Sequence, residues 1–177
     1  MASTNGDFEL TLDELRAVAR YAADCAESLL AEFEADAPGD TRPREALDAA
    51  RAFAEGAART NLQRATAFAA HRAAKTASTE TAQLAALACG DAAAAAYLHP
   101  IAKATQVGHV LRPAACAVRV AELRGGEDRR GESVRSLAQR AVHPVPEVLR
   151  RYPNAPRGAS RLSQLMSELD AAIRARD

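Results

Sequence analysis

The chain has no tryptophan, only four phenylalanines and three tyrosines, and lysine only at Lys75 and Lys103. So few large anchors exclude a core built on stacked aromatics. Net charge is also missing: 23 basic residues balance 23 acidic ones. That excludes the overall basic surplus with which nucleic-acid binders release counterions from phosphates. No apolar run approaches the roughly 20 residues of a membrane span, and Ala92–Ala96 is both short and weakly apolar. Met1 to Phe8 lacks a charged segment followed by an apolar one, so no secretion signal is read there. The expectation is a cytoplasmic protein with neither a membrane nor a nucleic-acid partner.

Cysteine is scarce and oddly numbered. Cys25, Cys89 and Cys116 lie far apart, and no two have metal-ligand or redox spacing. Each is set among alanines, where a thiol behaves as a small hydrophobe, so three reduced, buried side chains are expected. A glycine-rich phosphate loop, a nucleophile elbow and paired Glu-x-x-His motifs are all absent. No catalytic motif is recognised and no cofactor or metal is implied, which points away from an enzyme without excluding one.

What fills the chain instead is alanine, about a quarter of its 177 residues, where ordinary compositions show no such dominance. Alanine loses no side-chain entropy on entering a helix, and its small volume lets helices approach closely. The length suits one domain with a sizeable core. No alternating β-branched run occurs, so no strands are expected. The fold class is therefore all-α: an Ala-rich bundle of about five core helices plus short C-terminal ones, spanning residues 11–177 behind a flexible leader, 1–10.

Helix boundaries follow from caps and breakers. Thr11 and Glu14 form a capping box, and Leu12, Leu15, Val18, Ala22, Cys25, Leu29 and Phe33 recur at helical spacing. One helix of more than five turns is predicted there, ending at the breaker Asp36–Asp40. A second starts around Thr41–Pro43, since proline suits a first turn. A third is capped near Thr60 and Asn61; the two could equally be one kinked helix. Ser78 and Thr79 open a fourth that runs to Leu98, before His99-Pro100. A fifth spans about Thr105 to Leu123, with a kink expected at Pro113. Gly125–Gly131 reads as a charged loop. Short helices follow at about 132–142 and 145–151, and Ser160 caps a last one with Leu162, Leu165, Met166, Leu169 and Ile173 as its apolar face.

Several polar residues invite a functional reading. Thr41, Arg42 and Arg44 sit at a helix start, where free amides favour anions and two arginines are misplaced unless an anion joins them, either a bound carboxylate or phosphate or the local side chains of Asp40, Asp48 or Glu55. Arg44, Asp48, Arg51, Glu55 and Arg59 make an alternating charge stripe, which is either a solvated, ion-paired surface or one wall of a polar cleft. Tyr97 and His99 end the fourth helix while Gln106 and His109 begin the fifth, so the joining turn can bring two imidazoles together. Histidine serves as a base or metal ligand near neutral pH, but two histidines without a third ligand make no zinc site. Asp91 falls on the line Leu84, Leu87, Asp91, Leu98 and so needs a partner or a shifted pKa. Arg51 or Arg64 is expected to supply it. His71, near Arg64 and Phe68, completes the candidate ligand-binding set, whereas His143 reads as a turn residue.

The segments Tyr21-Ala-Ala-Asp-Cys-Ala-Glu27, Asp40-Thr-Arg-Pro-Arg44, Ala50-Arg-Ala-Phe-Ala-Glu-Gly56, Ala70-His71, Ala96-Tyr-Leu-His-Pro100 and Thr105-Gln-Val-Gly-His109 follow one order. In that order the chain resembles the bacterial, all-helical "putative immunity protein" family, associated with polymorphic toxins. The resemblance covers residues 10–124 and the closing Arg161-Leu162 helix. It implies noncatalytic binding that neutralises a cognate protein toxin. The residues themselves leave a second function open, a pocket for a small anionic ligand serving resistance or biosynthesis. There Arg42, Arg44 and Arg51 would neutralise charge, Asp91 would orient an arginine, and His99, Gln106 and His109 would bind or exchange protons. An exposed apolar stripe would also suit a homodimer.

Overall fold

The computed structural model describes residues 7–125 and 132–176. Among them lie nine α-helices and no strand: α1 (Leu12–Glu27), α2 (Leu30–Asp36), α3 (Arg42–Ala54), α4 (Asn61–Ala74), α5 (Glu80–Ala94), α6 (Gly108–Leu123), α7 (Val134–Arg140), α8 (Val145–Arg150) and α9 (Arg161–Arg174). Two 3-10 turns, Ala95–Tyr97 and Ala104–Val107, join α5 to α6. The expected charged loop lies outside the described residues from 126 to 131, as do residues 1–6 of the expected leader. Further along that leader, Phe8 packs edge-on against Tyr152 with ring centroids 4.8 Å apart.

The capping signals act as their chemistry requires. Thr11 and Glu14 close a capping box at α1, as do Thr60 and Gln63 at α4, while Thr79 and Ser160 cap α5 and α9. Helices α3 and α4 are separate, with Gly56 between them at φ +115, a conformation open to glycine and strained for most other residues. The single long first helix does not form. It breaks at Ser28–Leu29, where Ser28 Oγ donates to the Cys25 carbonyl and Leu29 N bonds Ala26 O. A serine that bonds its own upstream carbonyl offers the backbone an alternative to helix continuation. Helix α6 runs through Pro113 as one element, and the irregular stretch falls before it, in the 3-10 turn.

Helix α5 is the axis of the molecule and packs against α1, α2, α3, α4 and α6. It is rich in alanine, and ten of its residues between Ala82 and Ala93 are buried. Beyond its first turn the helix has little polar surface and has to be largely surrounded, and its small side chains let five neighbours reach it. Phe33, Phe53, Leu29 and Leu111 are among the largest fully buried side chains. All three cysteines are free and buried, and burial pushes the Cys25 and Cys89 thiols up to about 12 and Cys116 higher still. They stay protonated and unreactive. Helix α9, which starts at the expected Ser160 cap and carries the expected apolar face, packs on α6, α7 and α8.

Candidate functional site

Asp91 is the one acidic residue of α5 beyond its first turn, and it is wholly buried. Taking a carboxylate out of water costs several kcal/mol unless it is paired and hydrogen-bonded. The partners come from α6. Arg112 Nη1 donates to both carboxylate oxygens, at 3.0 and 2.8 Å, and His109 Nδ1 lies 2.8 Å from Oδ1. His109 and Arg112 are three residues apart, so they share the face of α6 turned to α5. The expected partners, Arg51 and Arg64, are engaged elsewhere. Arg51 reaches Glu27 of α1 at 2.6 Å, and Arg64 stacks over the Tyr97 ring, 4.4 Å from its centroid.

Accepting from Nδ1–H, Asp91 fixes the imidazole of His109 and leaves Nε2 as the nitrogen it does not engage. A second imidazole, His71 from α4, brings its Nε2 to 3.8 Å from Asp91 Oδ1, too far for a hydrogen bond. That nitrogen is buried without a partner. Desolvation by burial lowers the His71 pKa, against an opposing pull from Asp91. Two glycines make this arrangement possible. A Cβ on Gly90 would lie 2.5 Å from His71 Nε2, and one on Gly108 would lie 2.7 Å from an Arg112 nitrogen. The glycines next to Asp91 and His109 therefore create the room in which their neighbours' side chains lie.

Beside this cluster opens a cavity of about 270 Å³, lined by Arg64, Ala67, Phe68, His71, Ala94, Tyr97, His99 and His109. Tyr97 forms a rigid wall. Its hydroxyl donates to Thr60 O at 2.6 Å, and Arg59 joins Arg64 over its ring, 5.1 Å from the centroid. His99 is held by its backbone: its amide donates to Gln106 Oε1 at 3.0 Å, and its carbonyl accepts from Tyr152 Oη at 2.8 Å. Phe68 stands 59% exposed at the edge. A larger hollow of about 430 Å³ runs along α9, lined by Arg157, Gln164, Ser167 and Glu168 with no imidazole.

Four of the sequence candidates, His71, Tyr97, His99 and His109, therefore line one cavity, with Asp91 beneath it and Gln106 bracing its rim. The arginine group does not join them. Arg42 pairs with Asp40, Arg44 with Glu34, Arg51 with Glu27, and Thr41 Oγ1 donates to Glu45 at 2.6 Å. Arg44 and Arg51 meet acidic residues of α2 and α1, and Arg42 the aspartate just before its own helix, so all three are satisfied locally. Sequence reasoning missed Arg112, whose signal was its spacing of three from His109. It also missed the charge of α4: from Gly56 to Thr79 the chain holds Arg59, Arg64, Arg72 and Lys75 and not one Asp or Glu.

Chemically the cavity offers a guanidinium, three imidazoles and two aromatic faces. No serine, threonine or cysteine lines it. Among the described residues no group of three or more His, Cys, Asp or Glu side chains is gathered to hold a metal ion, and no helix is long and apolar enough to cross a membrane.

Comparison with the curated proteins and with the solved structures yielded no match. A family description does match, over residues 9–148. It extends past the first stretch of resemblance, through α7 and most of α8, and stops short of Arg161-Leu162 and α9. Covering well over half of the sequence, this match assigns the chain to the Imm-5 like putative immunity protein family.

Proposed function

We propose that the protein neutralises a cognate toxin by binding it, without catalysis, through the face that carries the α4–α5 cavity. Phe68 is the observation that carries this reading. In a chain with four phenylalanines it stands 59% exposed on a well-capped helix, next to Tyr97 and Arg64. Aromatic and arginine side chains grouped about a concavity are the composition of binding hot spots. A stiff helix presents them at little entropic cost.

The test is co-expression with the toxin encoded beside this gene. The parent chain rescues growth and co-purifies with the toxin as a stable complex, and Phe68→Ala weakens both. Flanking genes that encode no toxin, or toxicity undiminished by the parent chain, would overturn the reading.

The same cavity also favours a second reading, a small anionic ligand, because its polar lining is Arg64 and three imidazoles with no carboxylate. Two features count against it. At about 270 Å³ the space is below the roughly 300–1,000 Å³ of drug-sized sites, and the arginines that would have neutralised such a ligand are paired on α3. Calorimetry with small aromatic carboxylates decides this point: heats that vanish in Arg64→Ala would favour the ligand.

A further inference from the structure

Around α4 the charge is one-sided. Within residues 56–79 stand Arg59, Arg64, Arg72, Lys75 and His71 with no acid, in a chain whose net charge is zero. The remainder is therefore net acidic by the same amount. At about 100° per residue, Arg64, Phe68, His71, Arg72 and Lys75 fall in one sector of roughly 100° on the helix. Arg64, Phe68, Arg72 and Lys75 are exposed. Elsewhere the arginines of α3, α6 and α9 meet carboxylates: Arg42, Arg44, Arg51, Arg112, Arg119, Arg161 and Arg174 all do so. Among the described residues, Arg64, Arg72 and Lys75 form no ion pair.

A row of cations with no carboxylate to meet repels itself, and among the described residues only Arg64 of the three finds a partner, the Tyr97 ring. The row becomes favourable when an opposite potential is brought to it. Two partners have that potential, a phosphate backbone and an acidic protein segment. Phosphate binding needs cations alone. Here an exposed phenyl ring sits within the row, and a cavity of about 270 Å³ with Ala67, Phe68, Ala94 and Tyr97 among its walls opens next to it. Such a space takes one large side chain. An apolar socket within a cationic rim is the complement of a protein segment in which an aromatic residue is flanked by acids.

We infer that the α4 face is the docking site for an acidic protein segment, which seats one aromatic side chain in the cavity beside Phe68 and Tyr97 while its carboxylates meet Arg64, Arg72 and Lys75. This rests on the toxin-binding reading and gives it a chemistry: the toxin's contact surface is acidic with an apolar centre.

The probe is a synthetic peptide of one central tyrosine with three glutamates on either side, titrated into the full chain and followed by amide shifts and calorimetry. The shifts map to α4 and the 95–99 turn. Replacing the central tyrosine by alanine, or introducing Arg72→Glu with Lys75→Glu, weakens binding about tenfold or more, as loss of an anchor or of complementary charge does. Arg135→Glu on α7, a surface change remote from α4 in sequence, leaves it unchanged, and equal melting temperatures show that the variants are folded. Three results overturn the inference: no peptide binding, equal affinity for the charge-reversed variant, or tighter binding of a single-stranded oligonucleotide of matched charge. The toxin assay separates this from the reading above. Growth rescue retained by Arg72→Glu/Lys75→Glu removes the docking site and keeps the immunity role, whereas peptide binding without rescue does the reverse.

Discussion

At the level of single residues, the molecule turns on a buried carboxylate and the glycines that make room around it. Asp91 has no contact with solvent, while Arg112 keeps about a third of its side chain exposed. Removing the acid therefore leaves a cation that water can partly recover. Asp91→Ala should lower the unfolding free energy by about 3 kcal/mol, at the low end for a broken buried pair, read from urea denaturation. Gly90 is a sharper probe. Alanine there gains about 1 kcal/mol of helix propensity, yet its Cβ would fall within 2.5 Å of His71 Nε2. A net loss of about 1–2 kcal/mol is expected from the overpacking. Made in a His71→Ala background, the same change should lose most of that penalty, so a double-mutant cycle gives a large coupling. Additive effects would mean that His71 does not pack on Gly90. His71 also sets a pH dependence. Burial holds its folded pKa below the ordinary value of about 6.5, so beneath that pH the unfolded chain binds the extra proton. Its contribution is complete above about pH 6.5 and is lost as the pH falls below it. The carboxylates of Glu14, Asp40 and Glu122 have pKa values lowered by hydrogen bonds from arginines, and their contributions decline only below about 4.5. Between about pH 6.5 and 4.5 His71 therefore contributes a rise of stability with pH. His71→Gln should flatten it in urea titrations at a series of pH values.

Individual helices show where the sequence could be read and where it could not. Ends set by local chemistry were legible: Thr11, Thr60, Thr79 and Ser160 all cap as their side chains allow. The break between α1 and α2 was not, because the apolar spacing from Leu12 to Phe33 continues straight through it and only Ser28 interrupts. Helix α5 misled in another way. Leu84, Leu87, Asp91 and Leu98 drew a stripe, whereas tertiary packing also buries Ala82, Ala85, Ala88, Cys89, Ala92 and Ala93, so the stripe has no special status. The site was legible in half. Asp91 stood out as an acid among alanines, and His99 and His109 as a pair across a turn. The arginines of α3 stood out equally, but sequence spacing along α3 cannot show that α1 and α2 bring Glu27 and Glu34 within reach. Arg112 was hidden by the opposite effect: one more arginine on an amphipathic helix, distinguished only by what faces it. The start of α4 can be tested directly. Thr60→Ala should cost about 1 kcal/mol, the usual value of a cap. Gln63 should matter more, because its amide both closes the capping box and donates to Ala49 O from a site that is 2% exposed. Gln63→Ala should cost about 2 kcal/mol, because it removes two hydrogen bonds worth about 1 kcal/mol each. Thermal melts that rank the two variants the other way would refute the role given to Gln63.

For the molecule as a whole, zero net charge conceals a division: a cationic face on α4 and an acidic balance spread over the rest. Such a distribution suits an inhibitor that must reach its target quickly, since attraction between complementary patches raises the association rate, while apolar burial sets the lifetime of the complex. The two contributions come from different residues here, so kinetics can separate them. With the cognate toxin of the proposed function, the association rate should fall as salt is raised from about 0.05 to 0.5 M, because the Debye length shrinks below the spacing of the charges. Arg72→Glu with Lys75→Glu should lower the association rate about tenfold at low salt, abolish most of its salt dependence and change dissociation little, as rim charges do. Phe68→Ala should act on the other side, accelerating dissociation about tenfold or more at an unchanged association rate, as loss of a central aromatic anchor does. Surface plasmon resonance on the four combinations measures both. If the charge reversal acted on dissociation and the phenylalanine on association, the cations would be buried at the centre of the interface and Phe68 at its edge, and the cavity would not be the socket.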